Sequence, residues 1–107
     1  MKVLVLEDNK PIAHRIADAL VRGGCEVTVL YTYAEAKKKS DSFDAYYVGY
    51  LNGVLGPDFA IEMVLAKRRV IMVGETRKFS KMPFLSWDDC GRANIVLGHL
   101  ENVAAGT

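Results

Sequence analysis

The chain is expected to be an α/β domain built on a parallel sheet. Two observations predict this: three consecutive strand-then-helix patterns occupy the first two thirds of the sequence, and the first strand reads as a nearly unbroken apolar run, as suits a strand buried on both faces. Consecutive βα units imply right-handed crossovers between parallel strands. A length of 107 residues, 50% of them hydrophobic and only 3 of them proline, suits one core and so a single domain over residues 1–107.

The first strand is Met1-Lys2-Val3-Leu4-Val5-Leu6-Glu7, halted by Asp8-Asn9. Pro11 stands where a helix start tolerates proline, and Ile12, Ile16, Ala19 and Leu20 recur at helical spacing until Gly23-Gly24. Val27, Val29 and Tyr31 alternate within a second strand, Cys25 to Thr32, and Tyr33 to Lys39 gives one or two helical turns before Ser40-Asp41-Ser42. Ala45 to Tyr50 is the third strand, Asp58 to Lys67 a helix opened by Gly56-Pro57, and Val70 to Val73 the fourth strand.

Only the twelve residues Gly74 to Leu85 follow before Ser86. A crossover with its helix needs at least about 10–12 residues by itself. The expectation is therefore an extended loop over Gly74 to Met82 and a short edge strand near Pro83 to Trp87. A last helix is expected from Trp87 to Val103, with Ser86 and Asp89 as a capping box and Ala93, Val96, Leu97, Leu100 and Val103 as its apolar stripe. Gly91 and Gly98 weaken it by roughly 1 kcal/mol each.

Fourteen basic against 13 acidic residues give a net charge of +1, which excludes a long-range field for nucleic acid or an anionic membrane. Lys37-Lys38-Lys39, Lys67-Arg68-Arg69 and Arg77-Lys78 are separate clusters, read as solvated surface. The longest apolar stretches, such as Ile61 to Ala66 with Glu62 inside it, fall far short of the roughly 20 residues of a bilayer-spanning helix. Cys25 and Cys90 are too far apart for a zinc ribbon or redox pair, and a cytoplasmic location is the expectation. Cys25 is read as a small apolar residue at a strand start, and Cys90 as part of a helix.

Val3 to Asn9, the amphipathic helix after it, Gly23-Gly24, Glu26-Val27-Thr28-Val29 and Phe43-Asp44-Ala45-Tyr46-Tyr47-Val48 together resemble the two-component response regulator receiver domain. The resemblance covers the first half well and the second half loosely. It implies a flavodoxin-like, doubly wound sheet of strand order 2-1-3-4-5, with the fourth helix shortened or missing here, and a site at the carboxyl ends of the strands. Glu7 and Asp8 match the acidic pair that helps to hold magnesium in that family.

The remaining family positions depart from the pattern. Counting five residues on from Asp44, where the phosphoryl-accepting aspartate is expected, reaches Gly49, which has no carboxylate to attack a phosphoryl donor or to ligate a metal. The hydroxyl switch position at the end of the fourth strand corresponds to Gly74. The family lysine precedes a proline, whereas Pro83 follows Met82 and Lys81 is one residue too early. Asp58 and Glu75, as substitute acceptors, are otherwise explained by the helix macrodipole and by a solvated loop.

The sequence therefore predicts a stand-alone degenerate receiver, a non-enzymatic protein-interaction module that works without phosphate. The resemblance implies a histidine kinase, a phosphotransfer domain or a response regulator as partner, docking on His14, Arg15, Asp18, Tyr50 and the loop from Leu51 to Pro57. Two alternatives stay open: a divalent-metal-dependent phosphoryl switch using Glu7 and Asp8, and a small flavodoxin-like nucleotide-binding protein using Gly49, Gly53 and Gly56. His14 and Asp18 read as a surface charge pair, one helical turn apart. His99 borders the last apolar stripe, and neither histidine has a serine or cysteine at a triad spacing. All five tyrosines lie between residues 31 and 50, and each buried hydroxyl there requires a partner. A ring of Tyr50 filling the old phosphorylation pocket is one reading of that cluster, and a partner-facing hot spot is the other.

Overall fold

The computed structural model describes residues 1–39, 42–51, 55–76 and 82–105, with side chains to residue 100. Five parallel strands form one sheet in the order β2-β1-β3-β4-β5: β1 Lys2–Leu6, β2 Glu26–Leu30, β3 Ala45–Gly49, β4 Val70–Gly74 and β5 Phe84–Ser86. The central strands read as apolar runs because both of their faces are covered; all five residues of β3 and of β4 are buried. Side chains alternate across the sheet. Val3, Val5, Tyr47, Ile71, Val73 and Leu85 meet one helical layer, and Leu4, Leu6, Tyr46, Val48, Val70 and Met72 meet the other.

The first layer holds α1 (Lys10–Arg22) and α4 (Ala93–Ala105). Asn9 caps α1 by accepting a hydrogen bond from the Ile12 amide at 3.3 Å, and Pro11 sits in the first turn where its missing N–H costs nothing. Gly23-Gly24 ends the helix: Gly24 takes φ +88°, and the Cys25 amide turns back to the Leu20 carbonyl. Ile12, Ala13, Ile16, Ala19 and Leu20 are buried against the sheet. The second layer holds α2 (Tyr33–Lys38), closed by a Thr32–Glu35 capping box, and α3 (Leu55–Leu65).

The two tyrosines in the middle of β3 are buried with their hydroxyls satisfied. Tyr47 donates to the Val96 carbonyl at 2.6 Å, tying β3 to α4, and the Tyr46 hydroxyl accepts from the Phe43 amide at 3.3 Å. His14 does not pair with Asp18. Its Nε2 lies 2.7 Å from the Tyr31 hydroxyl, because the end of β2 runs beside α1 and offers a fixed partner where Asp18 offers only a solvated one.

The helix expected from Trp87 to Val103 is two pieces. A 3₁₀ turn, Trp87–Asp89, precedes α4, and Ser86 Oγ accepts from the Asp88 amide rather than forming a capping box with Asp89. Cys90 and Gly91 lie in the turn between the pieces, so Cys90 is fully buried but not helical; Cys90 and Cys25 are both free thiols. Val96 and Leu100 bury the expected stripe of α4, while Val103 is beyond the described side chains. His99 is half-buried, and that burial lowers its pKa below the usual histidine value.

α3 starts at Leu55, three residues before the expected Asp58, so that Gly56-Pro57 forms its first turn. Residues 75–76 and 82–83, on either side of the β4–β5 connection, are not helical, in keeping with the shortened or missing crossover helix. Much of the expected Gly74 to Met82 loop, including Arg77, Lys78 and Lys81, falls outside the described residues, as do Ser40-Asp41 and Asn52-Gly53.

Candidate functional site

At the carboxyl ends of β1, β3, β4 and β5 the chain leaves a cleft of about 340 Å³ lined by Glu7, Asp8, Tyr50, Leu51, Val73, Gly74, Glu75, Thr76 and Trp87. Its position follows from the winding: neighbouring crossovers diverge there to opposite faces of the sheet and open a crevice between them. The structure thus brings together Glu7, Asp8, Gly74 and Tyr50 from the sequence reading, with Gly49 directly beneath.

Both glycines are filled from elsewhere in the chain. A Cβ at Gly49 would overlap Glu7 Oε2, and a Cβ at Gly74 would overlap the ring edge of Tyr50 at Cε2 and Cδ2. The position expected to carry an acceptor carboxylate is occupied by the carboxyl of Glu7, and the position expected to carry a hydroxyl is covered by an aromatic ring. Gly56 packs in the same manner onto the Gly49 carbonyl, and its amide donates to the Tyr50 carbonyl at 3.1 Å. The missing side chain of Gly49 thus makes room for Glu7, that of Gly56 allows α3 to approach the end of β3 closely, and Gly53 lies outside the described residues.

Glu7 is 1% exposed, and its pKa is pushed up to about 7, first by burial and then by the negative charge of Asp8. The Asp8 backbone and the Trp87 side chain oppose that shift. The Trp87 indole N–H is buried with no partner at hydrogen-bond distance among the described residues, yet it is close enough to Glu7 to favour the carboxylate. No lysine or arginine lines the described cleft. Asp8 and Glu75 are exposed at its rim.

This donor set fits magnesium poorly. Magnesium demands near-ideal octahedral oxygen coordination and charged ligands. Here one carboxyl is buried and drawn towards its neutral form, and no three acidic, histidine or cysteine side chains among the described residues gather closely enough to share an ion. A glycine at position 49 also leaves the cleft without a carboxylate nucleophile at the end of β3.

The residues expected to dock a partner do not form one surface. Tyr50 belongs to the cleft. Arg15 and Asp18 line a separate depression of about 210 Å³ with Ala19, Arg22 and Gly91, and His14 engages Tyr31. Of the loop from Leu51 to Pro57, Leu51 is buried with φ +48°, Pro57 is buried in α3, and residues 52–54 are not described. Sequence reasoning missed Trp87, Val73 and Thr76 as cleft residues. A lone tryptophan directly after an edge strand was the available signal for the first; nothing in the spacing marks the other two.

No protein-family model and no curated protein matches the chain. Solved structures do. A two-component response regulator from Clostridium difficile superposes with a TM-score of 0.81 at 13% identity, over 98% of this chain and 96% of that one. The response regulator TrrA from Thermotoga maritima, in complex with Mg(2+)-BeF, gives 0.77 at 17% identity over 95% and 97%. The chemotaxis response regulator CheY4 of Vibrio cholerae gives 0.75 at 19% over 95% and 97%. With strand order β2-β1-β3-β4-β5, helices on both faces and these superpositions over nearly the whole length, the chain has the flavodoxin-like fold of response regulator receiver domains.

Proposed function

We propose that this chain is a degenerate receiver, a signalling module that binds another protein by its shape and does not accept a phosphoryl group. One observation carries the reading: the glycines at the acceptor and switch positions are filled by the Glu7 carboxyl and the Tyr50 ring. In an ordinary receiver, phosphorylation supplies a new anion that a hydroxyl and a lysine then follow. Here the acceptor is absent, its space is occupied, and the ring of Tyr50 already lies over Gly74, so no hydroxyl stands there to follow a new anion. The partner on this reading is a histidine kinase, a phosphotransfer domain or another response regulator, met through the exposed part of α1 at Arg15 and Asp18 and through Tyr50 at the cleft. No helix among the described residues is long and apolar enough to cross a membrane.

Incubation with magnesium and a small phosphodonor, and separately with beryllium fluoride, tests the proposal by intact mass and amide chemical shifts. The expected result is no phosphoryl adduct and no shift of cleft amides. A stoichiometric, acid-labile adduct overturns it. Pull-down from the native host with Tyr50→Ala as the comparison then identifies the partner, and loss of capture in that variant is the expected outcome.

A further inference from the structure

We propose that α3 is the contact surface for a second copy of this chain, the two α3 helices lying antiparallel across a two-fold axis. α3 is held on one flank by α2: Lys37 Nζ lies 2.9 Å from Glu62 Oε1, and the rings of Tyr33 and Phe59 meet edge to face with centroids 6.5 Å apart. Its underside, with Phe59 and Ala60, is buried on the sheet. Successive helical residues turn by about 100°, which puts Ile61 and Val64 on the flank away from α2, above the side of the sheet that β4 and β5 occupy. A crossover helix between those strands would pack there, and the described residues of that connection form none.

The flank is left apolar and open. Ile61 is 53% exposed, Val64 48% and Leu65 78%, three large aliphatic side chains within five residues of one short helix. Single exposed aliphatics are ordinary; a cluster of this kind on one flank marks a surface that another protein covers.

The charges around the patch select a second copy as that protein. Asp58 is exposed in the first turn of α3, and Lys67 is exposed just beyond its last. Asp58 and Lys67 lie equally far on either side of the midpoint between Glu62 and Met63, and so do Ile61 and Val64. An antiparallel pair centred on that midpoint therefore sets Asp58 of each copy level with Lys67 of the other, and Ile61 level with Val64. A two-fold contact requires this reciprocity. The opposed helix dipoles add to it, since each negative C-terminus meets a positive N-terminus. The contact is one helix wide and smaller than the roughly 800 Å² per partner of a standard interface, so association in the range of about 10 μM to 1 mM is expected.

Sedimentation velocity on the full chain across that range of concentration tests the proposal, with thermal melts to confirm that each variant folds. The expected result is a monomer–dimer equilibrium that Ile61→Glu abolishes. Asp58→Lys alone and Lys67→Asp alone each weaken association by about tenfold, and the double variant, with both charges exchanged, recovers it. Aspartate is chosen at position 67 because it tolerates the left-handed backbone there, φ +61°. A monomer at every concentration overturns the proposal, and so does a dimer that Ile61→Glu leaves intact or a double variant that does not recover.

Discussion

Tyr47 and Glu7 both carry a polar group into the interior, and the molecule treats them in opposite ways. The Tyr47 hydroxyl, in the layer between the sheet and α4, has a short hydrogen bond to the Val96 carbonyl. Burial raises its pKa above the usual tyrosine value, which keeps it the neutral donor that this bond needs. The Glu7 carboxyl, at the end of β1, lies in space that Gly49 vacates, beside the negative Asp8 and an indole N–H that does not reach it closely. The first group is part of how the fold is held. The second costs stability, and its place is explained by the geometry of the cleft rather than by packing.

Substitutions can sharpen that contrast. The largest effect is expected from Tyr47→Ala, a destabilisation of about 3–5 kcal/mol from a cavity in the core; Tyr47→Phe removes only the hydrogen bond and should cost about 1–2 kcal/mol. Chemical denaturation of both variants measures the difference. Equal losses in the two would mean that the hydroxyl, not the ring, carries the effect.

Glu7→Gln should act in the other direction. Because the folded-state pKa of Glu7 is raised from 4.5 to about 7, the folded chain holds a proton that the unfolded chain releases between those values. The penalty of charging Glu7 is absent below about pH 4.5, grows as pH rises, and is complete above about pH 7, at about 3 kcal/mol. Glu7→Gln is therefore expected to match the wild type in acid and to exceed it by up to that amount at pH 8, with a flatter stability profile. A variant less stable than wild type at pH 8 would show that the carboxylate has a favourable partner.

Gly74→Ala comes next. The added methyl meets the Tyr50 ring, which is half-buried and able to move, so a cost of about 1 kcal/mol is expected. In the Tyr50→Ala background the cost should disappear, giving a coupling that a double-mutant cycle reads directly. The smallest effect belongs to Lys37→Ala. The Lys37–Glu62 pair is about half exposed, 47% and 45%, and solvent screens it, so chemical denaturation of Lys37→Ala should be indistinguishable from wild type.

The sheet was legible in the sequence because β1, β3 and β4 are buried on both faces and so read as unbroken apolar runs; α1 was legible through Pro11 and Gly23-Gly24. The positions of Gly49 and Gly74 in the cleft followed from counting along a resemblance. What fills them did not. Glu7 reaches Gly49 across β1–β3 pairing, and Tyr50 reaches Gly74 across β3–β4 pairing, contacts between neighbouring strands that no local spacing encodes. The division of the last helix was hidden for a related reason. Cys90 and Gly91 fit a helical pattern, but a buried turn there sets Trp87 at the cleft while α4 packs on α1. Asp18 is the neighbour of His14 on its own helix, and the partner His14 has, Tyr31, comes from just beyond the end of β2.

On the proposed reading, the Glu7 carboxyl fills the space at Gly49 and the cleft takes neither magnesium nor a phosphoryl group. A carbon-detected NMR titration of the Glu7 side-chain carboxyl, run with and without magnesium, tests it most directly. The expected midpoint is near pH 7 and does not move with magnesium. A midpoint near the ordinary 4.5, or one that magnesium drives downward, would contradict it.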